Sequence, residues 1–571
     1  MIVNRNRRAL VPATLFAACS LLMAVPSVGY CQGRGSTRRK PEAQSPEVTR
    51  IIERIVAGEK RYTQNLQRYS PRVETYLQYD RPDIELGDRV AKDAYFVGRV
   101  SFAERPKEVS FISESDFGHL RSDIASIFTP FYTPDHFLSR LAASTMVDPR
   151  SFDTRHYSFE PVRWEYLGDV RCLAIDVRPV VRNAVLGAFE GRIWVEDQDY
   201  AIVRLNGTRV NSLGFRAYTH FDSWRENLRP GEWLPVYIYS EDSDFSGKER
   251  VKSNTRFWGY DLSSQRQKQD EWTKILVESA APVRDTSDAA SDMLPVEGRR
   301  ELDMQAERNV LERLEKARLI APPGPVDKVL ETVLNNLVVT NHLDNLPPLH
   351  CRVMLTSPLE SFSLRYTIVL SRGLIDVLPD EASLAMILAH ELGHVVLEHK
   401  VNSDYAFNDR LFFRDERALS TLDFQRTNQE ETAADAKALE FLKNSPYKDK
   451  LGNAGLFLRA AIAAAPTMPH LFGPHLGDRL VPGHGQTVRM AALMSSAPEL
   501  RPTKIDQVAA LPLGSRVNLN SWDGSVMFTM RKPVALLDAS EKMPFLVAPL
   551  FPHLLRYDAM NSTRVAARQG Q

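Results

Sequence analysis

The period of the apolar positions changes along the chain. Over 46–68, Ile51, Ile52, Ile55 and Val56 recur at helical spacing and predict a helix. From there to about 265 the period shortens. Segments 171–179 (RCLAIDVRP), 191–195 (GRIWV), 201–205 (AIVRL), 215–224 and 233–240 (WLPVYIYS) are short, β-branched and aromatic. They alternate, and turn sequences such as Glu196-Asp197-Gln198-Asp199 and Arg229-Pro230-Gly231 divide them. Consecutive strands at this spacing predict an antiparallel sheet with one face on an apolar neighbour. Helical spacing returns over 301–319 and 326–339, which Ala321-Pro322-Pro323-Gly324-Pro325 divides. Segments 351–355 and 366–370 read as strands. Residues 381–399 read as one helix begun at Pro379-Asp380, and 428–442 as another. The tail offers strands at 514–520 and 527–530, then a Pro-rich apolar end. Its plain reading is a cover for the preceding domain, and shielding of an active site is the alternative.

Composition narrows the class. With 571 residues, 43% hydrophobic and 25% charged, the chain is long enough for more than one core and reads as globular. Lys+Arg and Asp+Glu both total 72, so no basic excess marks a nucleic-acid surface or an anionic membrane. Arg5, Arg7 and Arg8 precede an apolar run over 9–25, with small residues at Ser27 and Gly29. That order reads as a secretory signal peptide over 1–29, with an uncleaved anchor helix as the alternative, and it sets the expected location outside the cytoplasm, periplasmic or secreted. Cys19 and Cys31 each offer a lipidated N-terminus, which would hold the protein at a membrane surface. Cys172 and Cys351 lack the close spacing of a Cys-based metal site. Polar, Gly/Pro-containing stretches at 30–45 and 271–300 read as linkers.

The chemistry concentrates in His390-Glu391-Leu392-Gly393-His394. At 3.6 residues per turn, His390 and His394 lie about 40° apart on one helix face, so both imidazoles can hold one zinc ion. Glu391 is placed to act on a water at that metal, whose pKa falls to about 7, and to return the proton to a leaving amine. Ile387, Leu388, Leu392, Val395 and Val396 bury the helix. Gly393 costs about 1 kcal/mol mid-helix, which implies that it clears room for a close neighbour. A third ligand is expected on 428–442, where Glu431 and Asp435 share a face beside Ala433 and Ala434. Glu431 would complete a His₂Glu site, and Asp435 would accept the outer N–H of a ligating histidine. His399 falls on a different face and reads as a supporting or surface residue.

HELGH followed by Glu431-Thr432-Ala433-Ala434-Asp435 resembles the HtpX-like and CAAX prenyl protease family of gluzincin metallopeptidases, over about 325–495. The resemblance implies a zinc metalloendopeptidase with His390, His394 and Glu431 on the metal and Glu391 as catalytic base. It implies an edge strand and acidic helix start in 367–381. Where the family has Asn-Ala-Phe, this chain has Glu360-Ser361-Phe362. The family's later His-Pro…Arg motif has an imperfect counterpart in His484 and Arg489, with His475 and Arg479 as a second candidate pair; in the family these residues support the transition-state oxyanion. The family's transmembrane helices have no counterpart here, so the resemblance is to its soluble, periplasmic branch. The segment GRIWVEDQDYAIVRLNG is similar to the sheet of the lipoprotein-carrier (LolA/LolB-like) superfamily, over about 46–265. That resemblance implies a half-barrel whose concavity binds acyl chains; a β scaffold or peptide-docking domain is the alternative.

The expected fold is therefore α+β: an antiparallel, half-barrel-like β-rich domain over 46–270, then a mainly helical zincin domain over 301–500 with a small edge-stranded sheet, and an extension over 501–571. The expected function is an exported zinc metalloendopeptidase with one Zn²⁺ per chain. Its partners would be protein or peptide substrates, misfolded envelope proteins among them, with lipid or membrane-surface association and no nucleic acid. The rival is a lipid or lipoprotein carrier, or chaperone-like envelope protein, whose zinc domain is regulatory or hydrolyses something other than peptides.

Overall fold

The computed structural model describes residues 46–83, 87–102, 107–110, 144–148, 151–180, 187–210, 217–244, 250–260, 295–401, 422–473, 476–481, 490–501, 513, 516–529 and 545–557. The expected signal peptide, the first linker, residues 271–294 of the second, and His475, His484 and Arg489 lie outside them.

Helix α1 (Pro46–Leu66) precedes ten strands: β1 (Arg72–Asp83), β2 (Gly87–Ser101), β3 (Lys107–Ser110), β4 (Tyr157–Leu167), β5 (Val170–Pro179), β6 (Ala188–Glu196), β7 (Ile202–Val210), β8 (Ala217–Arg229), β9 (Glu232–Asp244) and β10 (Arg250–Trp258). They form one sheet in the order β3-β2-β1-β10-β9-β8-β7-β6-β5-β4. Every neighbour is antiparallel. Ile52, Ile55, Tyr62 and Leu66 give α1 a buried face at helical spacing. On that face Glu59 forms a two-pronged pair with Arg225 of β8, at 2.7 and 2.8 Å. Arg225 also lies over the Tyr62 ring, 3.5 Å from its centroid.

The alternation read over 171–240 corresponds to β5 through β9. Strands β1 and β2 carry no such alternation, because both faces of β1 are covered. Val73 and Leu77 sit in the apolar core. The alternate positions Glu74 and Gln78 are also buried and reach the second half of the chain. Glu74 pairs with Arg372 at 2.7 Å. Gln78 donates to the Phe545 carbonyl at 2.6 Å and accepts from the Val547 N–H at 2.7 Å. Asp93 of β2 likewise accepts the His470 and Leu471 N–H groups. These buried polar contacts bind the large sheet to the C-terminal half, and residues Arg50–Gln571 form one compact unit.

The second half runs α2 (Pro295–Lys316), α3 (Pro325–Thr340), β11 (His350–Met354), β12 (Glu360–Leu364), β13 (Thr367–Ser371), α4 (Arg372–Val377), α5 (Glu381–Val396), α6 (Asn428–Lys443), α7 (Leu451–Ala464), α8 (Pro469–Phe472), β14 (Asp478–Arg479) and α9 (Ala491–Ser496). Its sheet has the order β11-β13-β12-β14. The segment expected to be an edge strand is therefore interior. β13 is paired in parallel with β11 and antiparallel with β12, so its backbone groups are taken on both sides. The outer edge that faces the site belongs to β12, where β14 pairs it at Glu360↔Arg479 and Ser361↔Asp478.

The tail adds a hairpin, β15 (Val517–Leu519) with β16 (Val526–Phe528). It holds both halves. Val517 N–H donates to Asp376 at 2.8 Å, while Leu550 N–H donates to Tyr237 and Tyr557 N–H to Asn227 in the large sheet. Cys172 and Cys351 are buried free thiols. Among the described residues, no helix is long and apolar enough to cross a membrane.

Candidate metal centre

Two helices build the centre. Asp380 caps α5, its carboxylate accepting the Ser383 N–H at 2.8 Å, and residues from Ala382 through Val395 are almost all buried. Thr427 and Glu430 form a reciprocal capping box on α6, which leaves the next residue, Glu431, to turn inward. Gly393 lets the helices meet. A Cβ there would stand 2.8 Å from the Ala434 carbonyl oxygen and 3.1 Å from its Cα.

The result is a cluster of donors. His390 Nε2 and His394 Nε2 are 3.0 Å apart, and each is 3.5 Å from a Glu431 carboxylate oxygen. Metal bonds of about 2.0–2.2 Å in a tetrahedron would set ligand atoms roughly 3.3–3.6 Å apart, so these three side chains fit one zinc ion. The outer nitrogens are held as well. His390 Nδ1 is 2.8 Å from Asp435 Oδ1, which favours the tautomer that leaves Nε2 unprotonated for a metal. His394 Nδ1 is 2.9 Å from His399 Nδ1, and burial lowers the His399 pKa. His399 is thus a support for His394. The other Asp435 oxygen accepts the Met490 N–H at 3.0 Å.

Glu391 is fully buried beside these ligands. One of its oxygens accepts the Ser361 hydroxyl at 2.6 Å, and the other, Oε2, has no hydrogen-bond partner among the described residues. A buried carboxylate oxygen left without a donor is costly unless a water or cation completes it. Asp478 adds a further negative group. Its ligand oxygen, the ring nitrogens of His390 and His394 and a Glu431 oxygen all lie within 4.8 Å of one another. Burial, with Glu391 and Glu431 close by, pushes the Asp478 carboxyl up to about 8, against the lowering pull of Arg426. Three carboxylates crowded beside two imidazoles form a donor set that a divalent cation would relieve.

The structure brings together His390, Glu391, His394, Glu431 and Asp435. Residues 327–499 match the model of Peptidase family M48. That match implies a metallopeptidase domain, and family M48 is generally zinc-dependent. No curated protein matches the chain. Among solved structures, a LolA superfamily protein from Nitrosomonas europaea aligns at 12% identity with a TM-score of 0.20, covering 38% of this chain and 95% of that one.

Three contributors to this site have little or no signal in the sequence. Ser361 lies in the triplet that departs from the family pattern, which was its only signal. Asp478 comes from the short strand β14 and Arg426 from the loop before α6, both distant in sequence, and only the fold unites them. Arg479, from the second candidate pair, is exposed on β14 and pairs with Glu360.

A small, mostly apolar pocket beside the ligands is lined by Ser361, Met386, His390, Leu458, Asp478 and Leu480 among others.

Proposed function

We propose that the protein is an exported zinc metalloendopeptidase whose base is Glu391. The observation that carries this reading is the joint position of His390, His394 and Glu431 at ligand spacing, with a buried Glu391 carboxylate oxygen beside them awaiting a partner. Zinc held there would polarise a scissile carbonyl and acidify a neighbouring water. Glu391 would be the base for that chemistry, taking a proton from the attacking water and returning it to the departing amine. Ser361 holds one Glu391 oxygen so that the other points at the reacting water. Asp435 and His399 fix the two imidazoles. An extended peptide pairs with the outer edge of β12. Export rests on the sequence alone, from the order of Arg5, Arg7 and Arg8, the apolar run and Ser27 and Gly29. The soluble, HtpX-like branch of the family is the one this chain fits.

The test is metal removal from the purified full chain. Stripping zinc with a chelator should abolish cleavage of an unstructured polypeptide, and one equivalent of zinc should restore it. Cleavage that survives complete stripping would overturn the reading.

A further inference from the structure

The outer edge of β12, where a peptide strand would add, is occupied by the chain itself. Asp478 pairs with Ser361, and Arg426 donates to the Ser363 carbonyl at 2.9 Å. The occupying strand is fastened at several points. The Glu360 carboxylate accepts the Leu476 and Gly477 N–H groups at 3.1 Å each, and the Leu476 carbonyl accepts the Phe424 N–H at 2.7 Å. Gly477 permits the approach, because a Cβ there would stand 2.5 Å from the Ser361 carbonyl oxygen. This strand carries Asp478 into the cluster of metal donors. Arg426 holds both Asp478 oxygens, at 3.1 Å through its backbone N–H and 2.8 Å through its guanidinium. A carboxylate has about four lone-pair sites, so these bonds leave Asp478 able to face a metal as well.

We propose that β14 is an internal substitute for the substrate strand and that Asp478 is a fourth, internal ligand closing the open position of the zinc site. This rests on the zinc peptidase reading of the same centre. A closed four-ligand site is what structural zinc has, whereas a catalytic site keeps one position open. Cleavage then requires β14 to leave β12 and Asp478 to leave the cluster, and an incoming peptide strand competes for both places. The observations that distinguish this from ordinary strand pairing are that the paired residue carries a metal-binding side chain, and that this side chain reaches the cluster.

Two variants of the full chain test it, each compared with wild type for zinc affinity by chelator competition and for cleavage per bound zinc. Asp478→Asn keeps the side-chain shape but weakens ligation, so zinc binding should loosen by roughly 10–100-fold while cleavage per bound zinc rises. Gly477→Ala leaves His390, His394 and Glu431 unchanged but drives β14, and Asp478 with it, off β12. It should raise cleavage as well, with faster hydrogen exchange at the β12 amides. Unchanged zinc affinity in Asp478→Asn, or lower cleavage per zinc in both variants, would overturn the proposal. If wild type binds no zinc and cleaves nothing, the underlying peptidase reading fails instead, so the two failures are distinct.

Discussion

Single side chains at this centre act in pairs, one atom toward the reacting position and one toward a support. His390 shows the arrangement: Nε2 faces Glu431 and His394, and Nδ1 faces Asp435 at 2.8 Å. Asp435 touches no reacting atom, yet it sets the tautomer and the ring angle. Asp435→Ala should therefore weaken zinc binding by roughly 10–100-fold without unfolding the chain, measured by chelator competition alongside circular dichroism. Unaltered zinc affinity would show that His390 needs no such support. Ser361 plays the corresponding part for Glu391, its hydroxyl donating to one carboxylate oxygen at 2.6 Å.

Elements decide whether those side chains meet. Helices α5 and α6 approach closely enough to share a metal only because Gly393 and Ala434 lie in their contact. Gly393→Ala would gain about 1 kcal/mol of helix propensity. It would also press a methyl against the Ala434 backbone, and overpacking of that kind costs about 1–3 kcal/mol, so the clash should win. The expected outcome is a lower denaturant midpoint together with weaker zinc binding, since the helices that separate carry opposite halves of the ligand set. A stabilised variant with intact zinc affinity would contradict the geometry. This contact was legible in the sequence, because a glycine inside an apolar helix has few other uses. So were α5, α6 and the strands β5 through β9, where periodicity is clean. Strands β1 and β2 were not legible. Their polar positions, Glu74, Gln78 and Asp93, are buried against the second half of the chain, so the alternation that marks a half-solvated strand is missing. The edge-strand expectation at 366–370 failed for a related reason: pairing partners on either side depend on loops that bring β11 and β12 in, and no local pattern records them.

At the scale of the whole molecule, the sheet and the peptidase half are joined by buried polar groups and by the tail. The Glu74–Arg372 pair is the centre of that junction, with both side chains buried and Asp376 also within 3.3 Å of Arg372. Removing Glu74 would leave Arg372 with Asp376 but take the acceptor from the Tyr95 hydroxyl and the Ser357 N–H, and an unsatisfied buried donor costs about 1–3 kcal/mol. Glu74→Ala should lower stability by that order, and it should do so in a transition that both halves share, followed by tryptophan fluorescence and by loss of bound zinc. Unfolding of the sheet that leaves zinc in place would show instead that the halves are energetically separate. The tail contributes to the same junction, since 516–529 packs on Asp376 while 545–557 reaches Tyr237 and Asn227. The N-terminal sheet is thus a fixed partner of the half that carries the metal centre, through the strands that sequence periodicity reads least well.

The most direct test of the account is Glu391→Gln in the purified full chain. The substitution keeps the side chain's size and its contact with Ser361 but removes the base. The variant should bind one equivalent of zinc as wild type does, while its cleavage of an unstructured polypeptide falls by roughly 10²–10⁴-fold or more. Zinc bound and cleavage retained would contradict the assignment of Glu391, and with it the mechanism.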